Sequence, residues 1–367
     1  MTTPARQAEA EEASAVFQLA LTQIGVSTVE DAIALWADVP VTSRAPTAAS
    51  WLRRAITLVM TRRRMSRDLA RSYYRLVRAL RTGTTVADPY HPEPTYITLD
   101  VLRREFAELA GTAGRPLEGR SEDQPAGTSD PSDQVASSDP APPDDVWDGT
   151  SDQESADDPD RILVEELEGL REAEEQIERA AEQELRTVLE ALGLANLERK
   201  VDAIDHDRPA RDVDALREEA HLQAGAQQAA AAQRVAMNGG RSAVWNHMQR
   251  DRRAVGYIRL SRTGTPCGWC AMLISRGPVY KSQRSAEFAD GDAYHDNCHC
   301  YAEPVYSRAQ YGDSALYELN RRYQELWPKV TRGLSGTAAV SAWRRFIRQE
   351  QKAAAQEARR STSAQEA

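Results

Sequence analysis

Residues 267–270 read C-G-W-C and residues 295–300 read H-D-N-C-H-C, and the fold of the surrounding chain depends on these two motifs. The stretch from Cys267 to Cys300 contains all four cysteines of the 367-residue chain and two of its six histidines. Two cysteines separated by two residues can turn both sulfurs onto one ion, and a second pair returned by a loop completes a tetrahedron of donors. The spacing therefore predicts a zinc knuckle.

Five residues can supply the four ligands of a structural Zn²⁺ ion: Cys267, Cys270, His295, Cys298 and Cys300. The cysteines other than Cys300 are three expected ligands, and the fourth is either Cys300 or His295. His299 is a weaker candidate, because in an extended segment its side chain points away from those of the cysteines on either side.

Three other interpretations of the cysteines remain open. Disulfides suit the spacing, but no secretory signal is apparent, and cytosolic thiols stay reduced. A thioredoxin-like redox pair would explain C-G-W-C, yet the βαβ context of that motif is absent and two cysteines would have no role. The cysteines could also be unmetallated small hydrophobic residues in a core.

The composition separates a folded part from an acidic segment. Between Ser121 and Asp160 lie 13 acidic residues and no Lys or Arg, so a chain with a formal net charge of -10 carries a net charge of +3 elsewhere. Residues 112–160 are too poor in apolar side chains to offset the entropy of ordering, which predicts a disordered acidic linker. No run of 18 apolar residues is present, so no membrane span is expected.

The clearest helical pattern runs from Thr47 to Leu80, before Gly83, and it has two faces. One stripe is apolar and comprises Met65, Leu69, Tyr73, Leu76 and Leu80. The opposite stripe is basic and comprises Arg64, Arg67, Arg71, Arg75 and Arg78. Such an arginine face is typical either of the solvated side of a helical bundle or of a surface that binds an acidic partner, whether DNA phosphate or an acidic protein.

The remaining pattern predicts a mainly α fold with long amphipathic helices and a small α+β module of two or three short strands. The expected segments are a helical domain at 1–111 with the basic helix 47–81, the linker 112–160, a long-helix region 161–254, the Cys/His module 255–310, and C-terminal helices with a frayed tail at 311–367.

Several breaks and boundaries are also expected from local signals. Gly25 divides residues 5–40 into two short helices, and Asn238-Gly239-Gly240 divides 211–253 in the same way. Residues 84–97 form a proline-rich connector. An apolar stripe from Leu163 to Leu192 predicts one helix, a break is expected at Trp327-Pro328, and strands are expected at 257–260, 279–281 and 302–306.

The motifs together resemble those of the phage Mu protein F-like minor head proteins, and most closely the versions found in tailed phages of actinobacteria. The resemblance rests on C-x-x-C at 267–270, G-x-V-Y at 277–280, H-D-x-C-x-C at 295–300 and P-V-Y at 304–306. It extends to N-G-G-R at 238–241 and Y-Y-R-L-x-R-A-L-R-T-G at 73–83, and so covers about 45–83 and 235–350. His299 stands where many members of the family have Arg.

The resemblance implies a structural minor capsid protein inside the head of the virion near the portal, assembled in the host cytoplasm. Its expected partners are the portal, the major capsid or scaffold protein and, nonspecifically, packaged DNA. Two alternatives remain: a capsid maturation protease or protease fusion, and a nonspecific DNA-binding protein. Enzymatic activity is not expected, because no G-x-S-x-G, H-E-x-x-H or P-loop motif occurs.

Overall fold

The computed structural model describes residues 3–41, 45–112, 160–205, 207–261, 266–280, 294–296 and 298–365. Within these ranges the chain is mainly helical and has two small three-stranded sheets, which confirms the predicted fold class. The predicted acidic linker lies almost entirely outside the described residues. None of the helices in the described ranges is both long and apolar enough to cross a membrane.

The helices of the described ranges are α1 Pro4–Ala37, α2 Ala45–Thr82, α3 Leu99–Leu109, α4 Leu170–Leu189, α5 Ala195–Asp202, α6 Ala210–Arg250, α7 Gly268–Ile274, α8 Gln310–Asp313, α9 Glu318–Val330 and α10 Gly336–Gln365. A π-helical turn, Glu190–Leu194, joins α4 to α5, and a 3₁₀ turn, Ala315–Tyr317, precedes α9.

The strands are β1 Thr84–Val86, β2 Tyr96–Thr98, β3 Arg161–Glu165, β4 Gly256–Leu260, β5 Val279–Tyr280 and β6 Tyr301–Val305. In the first sheet β3 lies in the middle, parallel to β1 and antiparallel to β2. In the second sheet β4 lies between β5 and β6 and is antiparallel to both. The three strands expected near the cysteines are therefore present, and Pro304 lies on an edge strand, where a missing backbone N–H is tolerated.

The three long helices α1, α2 and α6 pack on one another and on the second sheet. Phe17 of α1 stacks on Tyr73 of α2, with ring centroids 4.3 Å apart, and meets Tyr301 of β6 edge to face at 5.9 Å. Glu303 of β6 is buried below them and accepts hydrogen bonds from Tyr73 and from Ser14, the latter at 3.0 Å. One continuous core therefore joins the N-terminal helices to the strands beside the cysteines.

Helix α6 is unbroken, so the predicted break at Asn238-Gly239-Gly240 is wrong. These glycines lie where α6 crosses α2: a Cβ on Gly239 would lie 2.2 Å from the carbonyl oxygen of Arg63, and one on Gly240 would lie 2.7 Å from that of Ser66. The Ser66 hydroxyl accepts a hydrogen bond from the Gly240 amide at 3.0 Å. The glycines allow two backbones to approach closely and do not end the helix.

Helix α1 is also continuous, and the predicted division at Gly25 is wrong for the same reason. A Cβ on Gly25 would lie 2.6 Å from the sulfur of Met237 in α6. Gly83 and Gly111, in contrast, have positive φ and follow α2 and α3, as predicted.

Four other expectations are corrected by the structure. The connector 84–97 contains β1 and the start of β2, and the predicted helix from Leu163 begins as β3 and becomes helical only at Leu170. Helix α9 continues through Pro328, which lies exposed in its last turn, so the carbonyl that loses its donor can reach water. The tail predicted to fray beyond Ala355 remains helical to Gln365.

Candidate metal centre

The local fold brings the two cysteine motifs together. Cys267 is the N-cap of α7, with extended backbone angles (φ -64°, ψ 160°), and its sulfur accepts a hydrogen bond from the Cys270 amide at 3.4 Å. In the second motif the Cys298 amide donates to the His295 carbonyl at 3.2 Å, which forms a tight turn, and Cys300 directly precedes β6. Each motif thus presents its donor atoms from a turn that ends in regular structure.

The five donor atoms form two groups of three that share Cys270. The first group contains Cys267, Cys270 and His295, and the second contains Cys270, Cys298 and Cys300. Within each group all donor atoms lie within 4.8 Å of one another. The shortest contacts are 2.9 Å between Cys267 Sγ and His295 Nε2, and 3.1 to 3.3 Å among the three sulfurs of the second group.

The donor set fits a structural zinc ion. Soft thiolates with one imidazole are the ligands that zinc prefers, and a Zn–S distance of about 2.3 Å places tetrahedral sulfurs about 3.8 Å apart. The sulfur separations of 3.1 to 3.3 Å in the second group are shorter than that spacing by about 0.5 to 0.7 Å, so these sulfurs would move apart slightly around an ion. Three of the four cysteines are buried, so the cluster is largely closed to solvent, as structural sites are.

The thiols are electrostatically unequal. Hydrogen bonds from Cys270, with a smaller contribution from His295, hold the pKa of Cys267 at about 5 despite its burial. Hydrogen bonds with Cys270 and Cys300 likewise keep the pKa of Cys298 well below its usual range. The corresponding contacts raise the pKa of Cys270, and burial raises the pKa of Cys300 to about 11. Two sulfurs therefore favour the thiolate, which is the form that binds metal.

His295 is oriented as a ligand. Its Nδ1 lies 2.6 Å from the carbonyl oxygen of Asp296, so we assign the ring proton to that nitrogen. In a metallated site this tautomer would leave a lone pair on Nε2, which faces Cys267 at 2.9 Å and Cys270 at 3.8 Å. Without metal, a hydrogen bond from His295 to the Cys267 thiolate requires a proton on Nε2. Arg234 of α6 fixes the Asp296 carboxylate from outside at 2.7 Å. A second partner that sets the tautomer is typical of metal-binding histidines.

The structure thus brings the five predicted donors into two adjacent groups that share Cys270, with Cys267 and Cys298 in different groups, while the choice between His295 and Cys300 as fourth ligand stays open. His299 is in neither group, and its backbone carbonyl accepts a hydrogen bond from Gln18 at 2.9 Å. All four cysteines are free, and their sulfurs lie farther apart than the roughly 2.05 Å of a disulfide.

The second predicted site, the arginine stripe of α2, is not a solvated face. Arg71, Arg75 and Arg78 are buried, and all of α2 from Leu69 to Leu80 lies in the interior. The acidic partners of these three arginines belong to the same chain: Asp68 and Glu174 for Arg71, Glu93 and Glu105 for Arg75, and Glu165 and Asp251 for Arg78.

This geometry corrects the expectation that the stripe faces outward. A buried guanidinium is stable only when opposite charges surround it. Here Asp68 of α2 and five carboxylates from later in the chain supply them. Arg64 is exposed, while Arg67 is half-buried beside Asp68 and Glu178. Contact of Arg64 and Arg67 with DNA or another protein stays a prediction.

Sequence reasoning missed two buried arginines beside the donors. Arg241, on α6, donates a hydrogen bond to the Cys298 carbonyl, and Arg259, on β4, lies with Nη1 3.6 Å from Cys300 Sγ. The only sequence signal for either was the N-G-G-R motif that contains Arg241.

These features define a class, a mainly helical protein with a compact Cys/His module. A family model described as VG15 protein matches residues 208–326, which contain α6, the second sheet, α7 and all five donors. The match supports a phage protein. No curated protein and no solved structure matches the chain.

Proposed function

We propose that the protein is a minor head protein of a tailed phage, of the Mu F-like type, located inside the head near the portal. Its role is structural and serves head assembly and DNA packaging or delivery. Its direct partners are the portal and the major capsid or scaffold protein. The convergence of C-x-x-C and H-x-x-C-x-C within the region matched by a phage family model carries this proposal.

A bound metal ion would contribute to the stability of the Cys/His module. Its sheet has only three strands of five, two and five residues, a small core for independent stability. Structural zinc is worth about 10–16 kcal/mol of apparent folding free energy in small modules. A zinc ion held by four of the five donors would therefore fix α7 against the segment that leads into β6.

The long helices provide the docking surfaces of the proposed role. Helix α10 packs Trp343 and Ile347 against the module, while residues 352–360 lie exposed beyond that contact. Within the arginine stripe, only Arg64 and Arg67 are left to contact packaged DNA, because the other three arginines of the stripe are buried in ion pairs. This burial removes most of the stripe from contact with either DNA or an acidic protein surface.

One contact supports a second candidate, a cysteine protease of capsid maturation. Cys267 Sγ lies 2.9 Å from His295 Nε2, and the pKa of Cys267 is lowered to about 5 by its hydrogen bonds with Cys270 and His295. A low-pKa thiol beside a histidine is the arrangement of an activated nucleophile. A thiolate bound to zinc cannot attack, so the two candidates differ in metal content.

The test of the head protein role is made on particles. The gene is deleted from the phage that carries it and supplied from a plasmid, and purified procapsids and mature heads are analysed by quantitative mass spectrometry. We expect a few copies per head with the wild-type gene and defective heads without it. Absence of the protein from both kinds of particle would overturn the proposal.

Elemental analysis of the purified, natively reduced protein separates the two candidates. We expect one zinc per chain and slow alkylation of Cys267 by iodoacetamide, accelerated by a chelator. A metal-free protein with rapid alkylation of Cys267, and cleavage of capsid protein that Cys267→Ser abolishes, would establish the protease instead.

A further inference from the structure

Two buried arginines from different elements meet at one tyrosine next to the candidate metal centre. The guanidinium carbon of Arg241 lies 4.3 Å from the ring centroid of Tyr294, and that of Arg259 lies 4.2 Å from the same centroid. The two arginines are only 1% and 2% exposed. Tyr294 directly precedes His295, so both cations stack on the residue that leads into the second donor motif.

The same arginines contact the other end of that motif. Arg241 donates to the Cys298 carbonyl, and its second nitrogen donates to Asn238 Oδ1 at 3.1 Å. Arg259 Nη1 lies 3.6 Å from Cys300 Sγ. The guanidinium of Arg259, like that of other arginines in proteins, stays charged when it is buried.

The charge of a zinc–thiolate centre explains why two cations lie here. Zinc with three thiolates and one imidazole carries a net charge of -1, and zinc with four thiolates carries -2, and either charge is unfavourable in a low-dielectric interior without compensation. Two guanidinium groups within contact distance of the donor segment supply that compensation. Groups outside the ligand set that orient and balance metal ligands commonly change metal affinity.

We propose that Arg241 and Arg259 are positioning residues of the metal centre, which balance its negative charge and hold 294–300 against α6 and β4. The inference rests on the proposed structural metal site. It assigns the N-G-G-R motif two adjacent tasks: Gly239 and Gly240 allow α6 to cross α2, and Arg241, next in sequence, reaches the donor segment. The metal affinity is then set partly by the helical core.

The experiment uses the full chain with Arg241→Met and Arg259→Met, and with Arg241→Lys and Arg259→Lys as charge-conserving variants. Arg63→Met is the matched control, because Arg63 is also buried, at 2% exposure, but its partners are Glu178 and the Val235 carbonyl. Zinc affinity is measured by competition with a chromophoric chelator, and the ligand environment by the sulfur-to-cobalt charge-transfer absorption after Co²⁺ substitution.

We expect each methionine variant to bind zinc about 10- to 100-fold more weakly and to shift the charge-transfer band. The lysine variants should recover most of the affinity, and Arg63→Met should lower the melting temperature with unchanged zinc affinity. Wild-type affinity in both methionine variants would overturn the proposal.

The proposal can also be tested if a methionine variant does not fold on its own. If a methionine variant is unfolded without added metal, the zinc concentration at which it folds gives its affinity, and this must lie at least about 10-fold above that of wild type. Should a methionine variant not fold at saturating zinc, a lysine variant that also loses zinc would show that charge is not the cause. A wild-type protein without zinc would instead refute the metal centre of the proposed function.

Discussion

Replacing Gly239 by alanine tests the helix crossing that aligns α6 with both α2 and the donor segment. The new Cβ would lie 2.2 Å from the carbonyl oxygen of Arg63, 2.6 Å from the Ser66 hydroxyl and 2.8 Å from Cγ of Arg63. Ordinary carbon–oxygen contacts need about 3.3 Å, and the nearest obstacle is backbone, so the two helices must separate by roughly 1 Å.

The cost of that separation has three parts. Overpacking a core costs about 1–3 kcal/mol, while alanine in place of glycine returns about 1 kcal/mol of helix propensity. The separation also strains buried hydrogen bonds between the helices, from Gly240 to Ser66 at 3.0 Å and from Arg63 to the Val235 carbonyl at 3.0 Å, each worth about 1–3 kcal/mol if one partner is left unsatisfied. We expect Gly239→Ala to lower the free energy of unfolding by about 3–5 kcal/mol.

The assay is urea denaturation followed by far-ultraviolet circular dichroism, with Gly312→Ala as the control. Gly312 is also helical, but a Cβ there meets no atom within 4 Å, so this variant should be neutral or stabilised by up to about 1 kcal/mol. A Gly239→Ala protein within about 1 kcal/mol of wild type would refute the close-crossing interpretation.

Three further outcomes are expected. In the metal centre, Cys270→Ser should abolish zinc binding, because Cys270 belongs to both donor groups. Only one of Cys300→Ser and His295→Ala should also abolish it, namely the variant that removes the true fourth ligand. Elemental analysis of the purified variants measures both outcomes. Arg78→Met should lower the free energy of unfolding, measured by urea denaturation, by about 3–5 kcal/mol, because it leaves Asp251 buried without its charge partner. Arg54→Met, which removes an exposed pair with Asp38, should lower it by less than about 1 kcal/mol. Burial lowers the pKa of His247 from 6.5 to about 4, so the unfolded chain binds a proton that the folded chain rejects, and stability contributed by this residue is lost as the pH falls from 6.5 towards 4. Denaturation of wild type and His247→Gln at pH 7.5 and 5 checks this: equal stability differences between wild type and variant at both pH values would contradict it.

The donor cluster was predictable because its chemistry is local. Two cysteines separated by two residues need only one turn to face one point, and α7 provides that turn through the N-cap Cys267. The turn from His295 to Cys298 is equally short. The sequence alone could not choose between His295 and Cys300, because both lie within reach of the shared Cys270.

The errors arose where distant segments decide the outcome. Gly25 and Gly239 suggested helix ends, yet each is fixed by contact with another long helix. Leu163 fits a helical stripe, but pairing with Thr84 on one side and Tyr96 on the other makes it part of a strand. Neither effect is visible within a window of ten or fifteen residues.

The prediction that the arginine stripe faces outward was wrong for a related reason. A row of arginines on one side of a helix looks the same in sequence whether that side faces water, an acidic partner or acidic residues of the chain itself. Here Arg78 finds Asp251 at 2.7 Å, 173 residues away, and Arg63 finds Glu178 at 3.0 Å. Local periodicity correctly located the helix but could not identify its surroundings.

The buried arginines of α2 also have a consequence for the order of events during synthesis. Arg78 leaves the ribosome long before Glu165 and Asp251, so this arginine has neither of its carboxylate partners while the nascent chain is short. Until residue 251 emerges, burial of α2 would place the Arg78 guanidinium in an apolar environment without Asp251. The N-terminal half can therefore complete its folding only after α6 has been translated. Chains truncated before that point will remain substrates for chaperones and proteases.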